Sequence, residues 1–170
     1  DGKVRLFRPD ENARRLRRSA DRLSMAAPSE ELFLKMCEMC VKANLDFLPP
    51  YGHNASMYLR PVLEGIDPQL SICSSSEVLF SVMCAPVSTY AKAGVLTPVT
   101  AVISRDYEGQ GYTELLFLDP ATKTRIDEFG SSNFIGIKGD TYVTPLSGSV
   151  LPSITNKSLR TIAEDLGMKV

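Results

Sequence analysis

Apolar residues recur along this chain with two periods, and the two periods predict a mixture of helices and strands. A helical period covers residues 9–25, 30–44 and 156–166. Pro9 opens the first helix and Ser29 precedes the second, and both residue types favour helix starts. The residues predicted to face inward are Ala13, Leu16, Ala20 and Leu23 in the first helix, Leu32, Phe33, Met36, Cys40 and Val41 in the second, and Leu159, Ile162, Ala163 and Leu166 in the third.

Strands are predicted where apolar and polar residues alternate, or where short apolar runs occur. They span residues 3–7, 56–63, 78–84, 97–104, 114–118, 124–127, 134–138 and 141–144. The run at 78–84 is apolar enough for a central strand. In the strand 56–63, Tyr58 and Arg60 share one face, where they would hold a carboxylate or join a cross-strand ion pair.

The pattern changes between residues 85 and 95, and this change predicts two domains. Pro86 and Gly94 interrupt the stretch 86–94, which is therefore the predicted linker. Residues 1–85 would form a small α/β domain, and residues 95–170 a second domain of several strands and a final helix. The predicted fold class is α/β, in its α+β form, with two small layered domains.

Composition and charge exclude several classes of protein. The 19 basic and 20 acidic residues nearly balance, which gives no reason to expect nucleic acid or an anionic membrane as a partner. No run approaches the roughly 18 apolar residues of a membrane-spanning helix. The first residues also lack a signal-peptide pattern, so a soluble cytoplasmic protein is expected.

The cysteines and the single histidine add no candidate site. Four cysteines at irregular spacings do not form a secreted disulfide framework. Cys37 and Cys40 have the spacing of a metal or redox pair, but no second pair completes a zinc site, so no metal is expected. His53, the only histidine, falls in a predicted loop without catalytic partners.

Two stretches carry candidate chemistry for a cofactor. In residues 124–134 an acidic pair, Asp127 and Glu128, ends a predicted strand before a Gly-Ser-Ser turn. In residues 151–155, Ser153 and Thr155 precede a helix whose free amides suit a phosphate. Together they suggest a cofactor with a phosphate at one end and a basic ring nitrogen at the other. The alternatives are an ordinary helix cap and a solvated acid pair.

Six motifs occur in an order that resembles one family. They are Lys3-Val-Arg-Leu-Phe-Arg-Pro9, Tyr58-Leu-Arg-Pro61, Ala85-Pro-Val-Ser-Thr-Tyr90, Ile126-Asp-Glu-Phe-Gly-Ser-Ser-Asn-Phe134, Val143-Thr-Pro-Leu146 and Ser149-Val-Leu-Pro-Ser-Ile-Thr155. In this order they resemble the branched-chain amino-acid aminotransferases, which are class IV, pyridoxal-phosphate-dependent enzymes. The resemblance extends over the whole chain.

The resemblance implies a function and a set of site residues. The full-length protein would exchange the amino group of leucine, isoleucine or valine with 2-oxoglutarate through pyridoxal 5'-phosphate, as a homodimer. The implied cofactor-binding residues are Arg15, Thr155 and the amide of Ile154 at the phosphate, Glu128 at the pyridine nitrogen, and Ser131 facing cofactor and substrate. The implied substrate-binding residues are Tyr58 and Arg60 from the small domain and Tyr90 from an interdomain loop.

The chain departs from the family pattern in one segment. The family has a turn with the Schiff-base lysine, a Gly-Gly-Asn-Tyr motif and a helix before the strand 114–118, whereas this chain has only Glu108-Gly-Gln-Gly-Tyr112 there. None of its lysines, at positions 3, 35, 42, 92, 123, 138, 157 and 169, lies in that context. The chain as it stands is therefore expected not to transaminate. The resemblance also implies that the family's first and closing strands are missing, so that the two-domain fold is incomplete.

Three alternatives remain open, two from this departure and a third from the cofactor motifs that related families share. In the first, which we favour because every other motif remains, Tyr107 and Glu108 are the ends of joined segments of a full enzyme. In the second, the chain is a non-catalytic deletion product, and a tight turn at residues 109–111 makes a hairpin of the strands on either side. In the third, the fold is kept but the reaction is that of a D-amino-acid aminotransferase or an aminodeoxychorismate lyase.

Overall fold

The computed structural model describes residues 2–88, 98–103 and 114–170. Contacts divide the chain into two compact units, Asp1–Leu96 and Thr97–Val170. The elements are α1 (Pro9–Arg22), α2 (Glu30–Ala43), a 3-10 turn (Leu45–Phe47), β1 (Ala55–Gly65), β2 (Val78–Ser88), β3 (Ala101–Ile103), β4 (Glu114–Leu118), β5 (Ile126–Phe129), β6 (Gly136–Lys138), β7 (Thr141–Val143) and α3 (Ile154–Asp165). The α+β fold class is confirmed.

The first unit places two helices against a two-stranded antiparallel ribbon. Strands β1 and β2 pair along their whole length, from Ala55 opposite Ser88 to Gly65 opposite Val78. Helix α2 packs against α1 and against both strands. The core consists of Ala13, Phe33 and Cys37, flanked by Leu6, Leu16, Leu34, Leu59, Phe80 and Val82. The rings of Phe33 and Phe80 stack with their centroids 5.7 Å apart, which ties α2 to β2.

Both predicted helix starts in this unit are confirmed. Ser29 caps α2, since its hydroxyl accepts a hydrogen bond from the Leu32 amide at 3.1 Å. Pro9 is the first residue of α1, where its missing amide proton costs nothing. Helix α1 ends at Arg22, earlier than the predicted residue 25.

Two strand predictions in the first unit need correction. Residues 3–7 form no strand, because none of the described strands pairs with them, and alternation alone does not supply hydrogen-bond partners. Leu6 instead packs against the helical core. Strand β2 pairs only with β1 in the described part of the chain, so it is an edge strand there and not a central one. It also continues to Ser88, three residues into the predicted linker 86–94, whose remainder lies outside the described residues.

The second unit contains two small sheets. Strands β3, β4 and β5 form one sheet, in which β3 and β4 are parallel and β4 and β5 antiparallel. Strands β6 and β7 form an antiparallel pair. The hairpin expected for the deletion product is therefore wrong, because a hairpin joins antiparallel strands and β3 and β4 run in the same direction. The junction between Tyr107 and Glu108 lies outside the described residues.

The predicted inward faces of the helices are only partly correct. In α2 the buried residues are Phe33, Cys37 and Val41, whereas Leu32 is exposed. In α3 Ala163 is buried as predicted, together with Ile154, but Leu159, Ile162 and Leu166 are exposed. Helical periodicity defines an apolar stripe, and the neighbouring elements decide which edge of the stripe is covered.

No helix in the described part of the chain is long and apolar enough to cross a membrane. Among the same residues, no group of three or more His, Cys, Asp and Glu side chains is placed to hold a metal ion.

Candidate functional site

An open pocket of about 450 Å³ lies in the second unit, between the end of β5 and the start of α3. Residues from both places line it, including Glu128, Ser131, Asn133, Leu151, Thr155 and Asn156. The acidic residue and the helix start that sequence reasoning singled out therefore share one cavity. Its volume falls within the usual range of small-molecule sites.

Glu128 lies within β5 itself, one residue before the strand ends. The chain then turns through residues 130–132, and the Phe129 amide donates to the Ser132 carbonyl oxygen at 2.8 Å. This turn pairs Glu128 with Asn133 in an isolated antiparallel bridge. Side chains of such cross-strand neighbours lie on the same face, which brings the carboxylate and the amide together.

The two carboxylate oxygens of Glu128 have different surroundings. Oε2 accepts hydrogen bonds from Asn133 Nδ2 at 3.1 Å and from the Leu151 amide at 3.2 Å. Oε1 accepts none within the described residues. The two donors on Oε2 hold the half-buried carboxylate in a single orientation. The other oxygen, Oε1, is left able to accept a hydrogen bond from a ligand.

The start of α3 presents backbone donors to the same pocket. The Ser153 hydroxyl caps the helix by accepting a hydrogen bond from the Asn156 amide at 3.1 Å. The amides of Ile154 and Thr155, the first two residues of the helix, donate to no acceptor within the described part of the chain. Thr155 is exposed and lines the pocket, whereas the Ile154 side chain is buried, so Ile154 offers only its amide. Free amides at a helix N-terminus favour an anion.

Ser131 lines the pocket, but its hydroxyl proton is already engaged. Ser131 Oγ donates to Glu114 Oε2 at 2.5 Å, and the Ser131 amide donates to Oε1 at 3.2 Å. These donors, the hydroxyl first, hold the pKa of Glu114 below its usual range. The Ser131 hydroxyl is therefore oriented as an acceptor towards any ligand in the pocket.

Three of the predicted site residues lie in the first unit. Arg15 Nη2 donates to Asn12 Oδ1 at 3.1 Å on α1. Tyr58 and Arg60 share the exposed face of β1, as the two-residue period predicts. Arg60 Nη2 lies 3.3 Å from the Tyr58 hydroxyl, and its guanidinium carbon lies 5.2 Å from the ring centroid. Tyr90 lies outside the described residues.

Sequence reasoning missed a group of hydrogen-bonded polar residues at the pocket, two of which, Asn133 and Asn156, line it. Asn156 Nδ2 donates to Thr144 Oγ1 at 2.8 Å and to Asn133 Oδ1 at 3.4 Å, and the Tyr142 hydroxyl donates to Asn156 Oδ1 at 2.8 Å. These residues come from three separate segments, at positions 133, 142–144 and 156, so no spacing along the chain indicates their contact. The only available signal was the position of Asn133 within the Glu128 motif.

Comparison with known proteins identifies relatives of the whole chain. Residues 99–170 match the family described as amino-transferase class IV. A branched-chain-amino-acid aminotransferase of Helicobacter pylori is 41% identical, covering 99% of this chain and 58% of the relative. A protein of the same name from Haemophilus influenzae is 40% identical, and the match covers 99% of this chain and 59% of that relative. The mitochondrial branched-chain-amino-acid aminotransferase 1 of Arabidopsis thaliana is 37% identical, and the match covers 100% of this chain and 51% of that relative.

The chain spans between about half and three fifths of the length of these relatives. Within the matched stretch it is also shorter than they are. The alignment with the Helicobacter pylori protein has 198 positions and the chain has 170 residues, so at least 28 aligned positions have no residue in this chain. The similarity nevertheless reaches both sides of the pocket, because Glu128 and the start of α3 both lie within residues 99–170, which match the class IV aminotransferase family.

Proposed function

We propose that the full-length protein is an aminotransferase that exchanges the amino group of leucine, isoleucine or valine with 2-oxoglutarate, using pyridoxal 5'-phosphate. One observation carries this proposal. A single pocket contains both a carboxylate with one open oxygen, Glu128, and the free amides of Ile154 and Thr155. The names of the relatives supply the substrate class.

The residues of the pocket fit the two polar ends of this cofactor. The Ile154 and Thr155 amides, with the Thr155 hydroxyl, would bind the phosphate, since the helix N-terminus favours negative charge. Oε1 of Glu128 would accept a hydrogen bond from the protonated pyridine nitrogen and so keep that nitrogen protonated. When bound, the protonated ring supplies an acceptor for the electrons that are released when a bond at the substrate Cα breaks. The Ser131 hydroxyl would accept a hydrogen bond from cofactor or substrate.

The remaining site residues belong to the first unit and stay part of the proposal. Arg15 would add a cationic partner for the phosphate, while Tyr58 and Arg60 would bind the substrate carboxylate, since guanidinium groups recognise carboxylates well. Tyr90 would cover the site. We also propose a cytoplasmic homodimer, for which light scattering of the purified full-length protein is the direct test of assembly.

A second candidate function is favoured by the length of the chain. At least 28 positions of the aligned relative are missing here. The parallel strands β3 and β4 are connected by residues 104–113 alone, although parallel neighbours ordinarily need a crossover of a dozen or more residues. We therefore place the missing segment, with the lysine that the resemblance implies, between these strands. A protein of this length would bind the cofactor without transaminating.

Two measurements test the proposal. Binding of pyridoxal 5'-phosphate to the 170-residue chain is measured by equilibrium dialysis for wild type, Glu128→Gln and Thr155→Ala, with Thr161→Ala on the same helix as a matched control. We expect each pocket variant to weaken binding by about tenfold, because Glu128→Gln removes the negative charge that would face the protonated ring nitrogen and Thr155→Ala removes a hydroxyl donor to the phosphate. The control should bind as wild type does. Equal affinity in all four proteins would refute this pocket as the cofactor site.

Substrate assays separate the candidate reactions. A full-length gene product with an added segment between β3 and β4 should convert L-leucine with 2-oxoglutarate, and the 170-residue chain should not. Rapid turnover of D-alanine without activity on L-leucine would assign the protein to the D-amino-acid branch of the fold.

A further inference from the structure

We infer that Asn133 is a positioning residue that, with Asn156, fixes the distance between the Glu128 carboxylate and the start of α3. This inference rests on the proposed function, because it concerns a ligand that contacts both ends of the pocket. Asn133 would contact neither end of that ligand. It would act through Glu128 on one side and through Asn156 on the other.

The polar atoms of Asn133 are committed to both sides of the pocket. Nδ2 donates to Glu128 Oε2 at 3.1 Å and to the Leu151 carbonyl oxygen at 3.1 Å. Oδ1 accepts from Asn156 Nδ2 at 3.4 Å. A carboxylate and a carbonyl can only accept hydrogen bonds, so their presence defines which end of the Asn133 amide carries the protons. Leucine, with nearly the same shape, can make none of these bonds.

Asn156 is in turn held by three neighbours besides Asn133. Its backbone is part of the first turn of α3, and its amide donates to the Ser153 hydroxyl. Its side chain bonds Thr144 Oγ1 and the hydroxyl of Tyr142, a residue only 6% exposed. The series of hydrogen bonds that starts at Glu128 therefore ends at a buried residue, Tyr142.

The arrangement matters because the two ends of the pocket belong to separate elements. Glu128 lies on β5 and the free amides lie on α3. A ligand with a cationic N–H group at one end and a phosphate at the other gains from both contacts only if their separation is set in advance. A ligand with the phosphate alone is indifferent to that separation. This difference distinguishes a positioning role from a general contribution to folding.

The test compares two phosphate esters. Pyridoxamine 5'-phosphate carries both polar ends and needs no lysine for binding, whereas benzyl phosphate has the ring and phosphate without the ring nitrogen. Their affinities for the 170-residue chain are measured by calorimetry for wild type, Glu128→Gln, Asn133→Leu, Asn156→Ala and the control Thr161→Ala. Circular dichroism verifies that each variant is folded.

We expect Asn133→Leu to weaken pyridoxamine 5'-phosphate binding by about tenfold, the usual effect of losing a hydrogen bond to a charged group. Asn156→Ala should weaken it in the same direction, while both variants should bind benzyl phosphate within twofold of wild type. Equal losses for the two ligands would show a merely structural role and overturn the inference. An unchanged affinity of folded Asn133→Leu for pyridoxamine 5'-phosphate would overturn it as well.

Failure of this inference is distinguishable from failure of the proposed function. If wild type binds both esters equally and Glu128→Gln changes nothing, the pocket does not recognise the ring nitrogen and the proposed function itself fails. If Glu128→Gln weakens only pyridoxamine 5'-phosphate while Asn133→Leu does not, the proposed function stands and the role assigned to Asn133 is wrong.

Discussion

Ser131 and Glu114 are joined by two hydrogen bonds across 17 residues of sequence, one from the Ser131 hydroxyl at 2.5 Å and one from its amide at 3.2 Å. Glu114 is the first residue of β4, and Ser131 lies in the turn that follows β5. The pair therefore holds the pocket turn against the neighbouring strand. It also makes one contribution to the pH dependence of the second unit's stability.

Replacing Ser131 with alanine should destabilise the protein more at neutral pH than in acid. The folded-state pKa of Glu114 is lowered, chiefly by the Ser131 hydroxyl. A lowered folded pKa means that the stabilisation is present above the unfolded pKa, about 4.3 for glutamate, and is lost as pH falls through the folded value. Urea unfolding of wild type and Ser131→Ala at neutral and acidic pH measures the difference.

The matched control for this prediction is the same substitution in a Glu114→Gln background. Glutamine does not ionise, so the effect of Ser131→Ala should there be independent of pH. If the destabilisation by Ser131→Ala is the same at neutral and acidic pH in the natural background, the hydroxyl does not stabilise the ionised carboxylate.

Two phenylalanines of the first unit should respond very differently to truncation. Phe33 is 2% exposed and stacks on Phe80, whereas Phe47 is 66% exposed. Phe33→Ala should lower the free energy of unfolding by about 3–5 kcal/mol, because it leaves a cavity in the core. Phe47→Ala should change it by less than about 0.5 kcal/mol. Urea denaturation measures both, and similar effects would contradict the packing of α2 on β2.

The cysteines should differ in their reaction with iodoacetamide at neutral pH. Burial, followed by the neighbouring Cys84 thiol, raises the pKa of the Cys40 thiol to about 11, and the reactive species is the thiolate. Cys37 is buried, and burial raises its pKa too. Cys73 is exposed and should therefore be alkylated first.

Peptide mass spectrometry during the reaction measures the order of alkylation. A Cys73→Ser variant should lose the fast phase, and unfolding in urea should make the remaining cysteines reactive. Early alkylation of Cys40 in the folded protein would show that the thiol is neither buried nor paired with Cys84.

Local pattern predicted most elements of this fold. The helical periods and the Ser29 cap placed α1 and α2 within a few residues of their observed bounds. The stretch 114–118 was confirmed as β4 without change. These features depend on residues close in sequence, through side-chain periodicity and capping. The prediction failed at residues 3–7, where alternation is present but no described strand supplies the hydrogen bonds.

The sequence by itself indicated a resemblance to the class IV aminotransferases, because six motifs in order carry that information, and it identified Glu128, Ile154 and Thr155 as candidate ligands of one cofactor. Only the tertiary structure decided that β3 and β4 are parallel. It alone also showed that Asn133 and Asn156 connect the two ends of the pocket. The physical reason is that chain direction in a sheet and hydrogen bonds between distant side chains depend on packing, which no local period encodes.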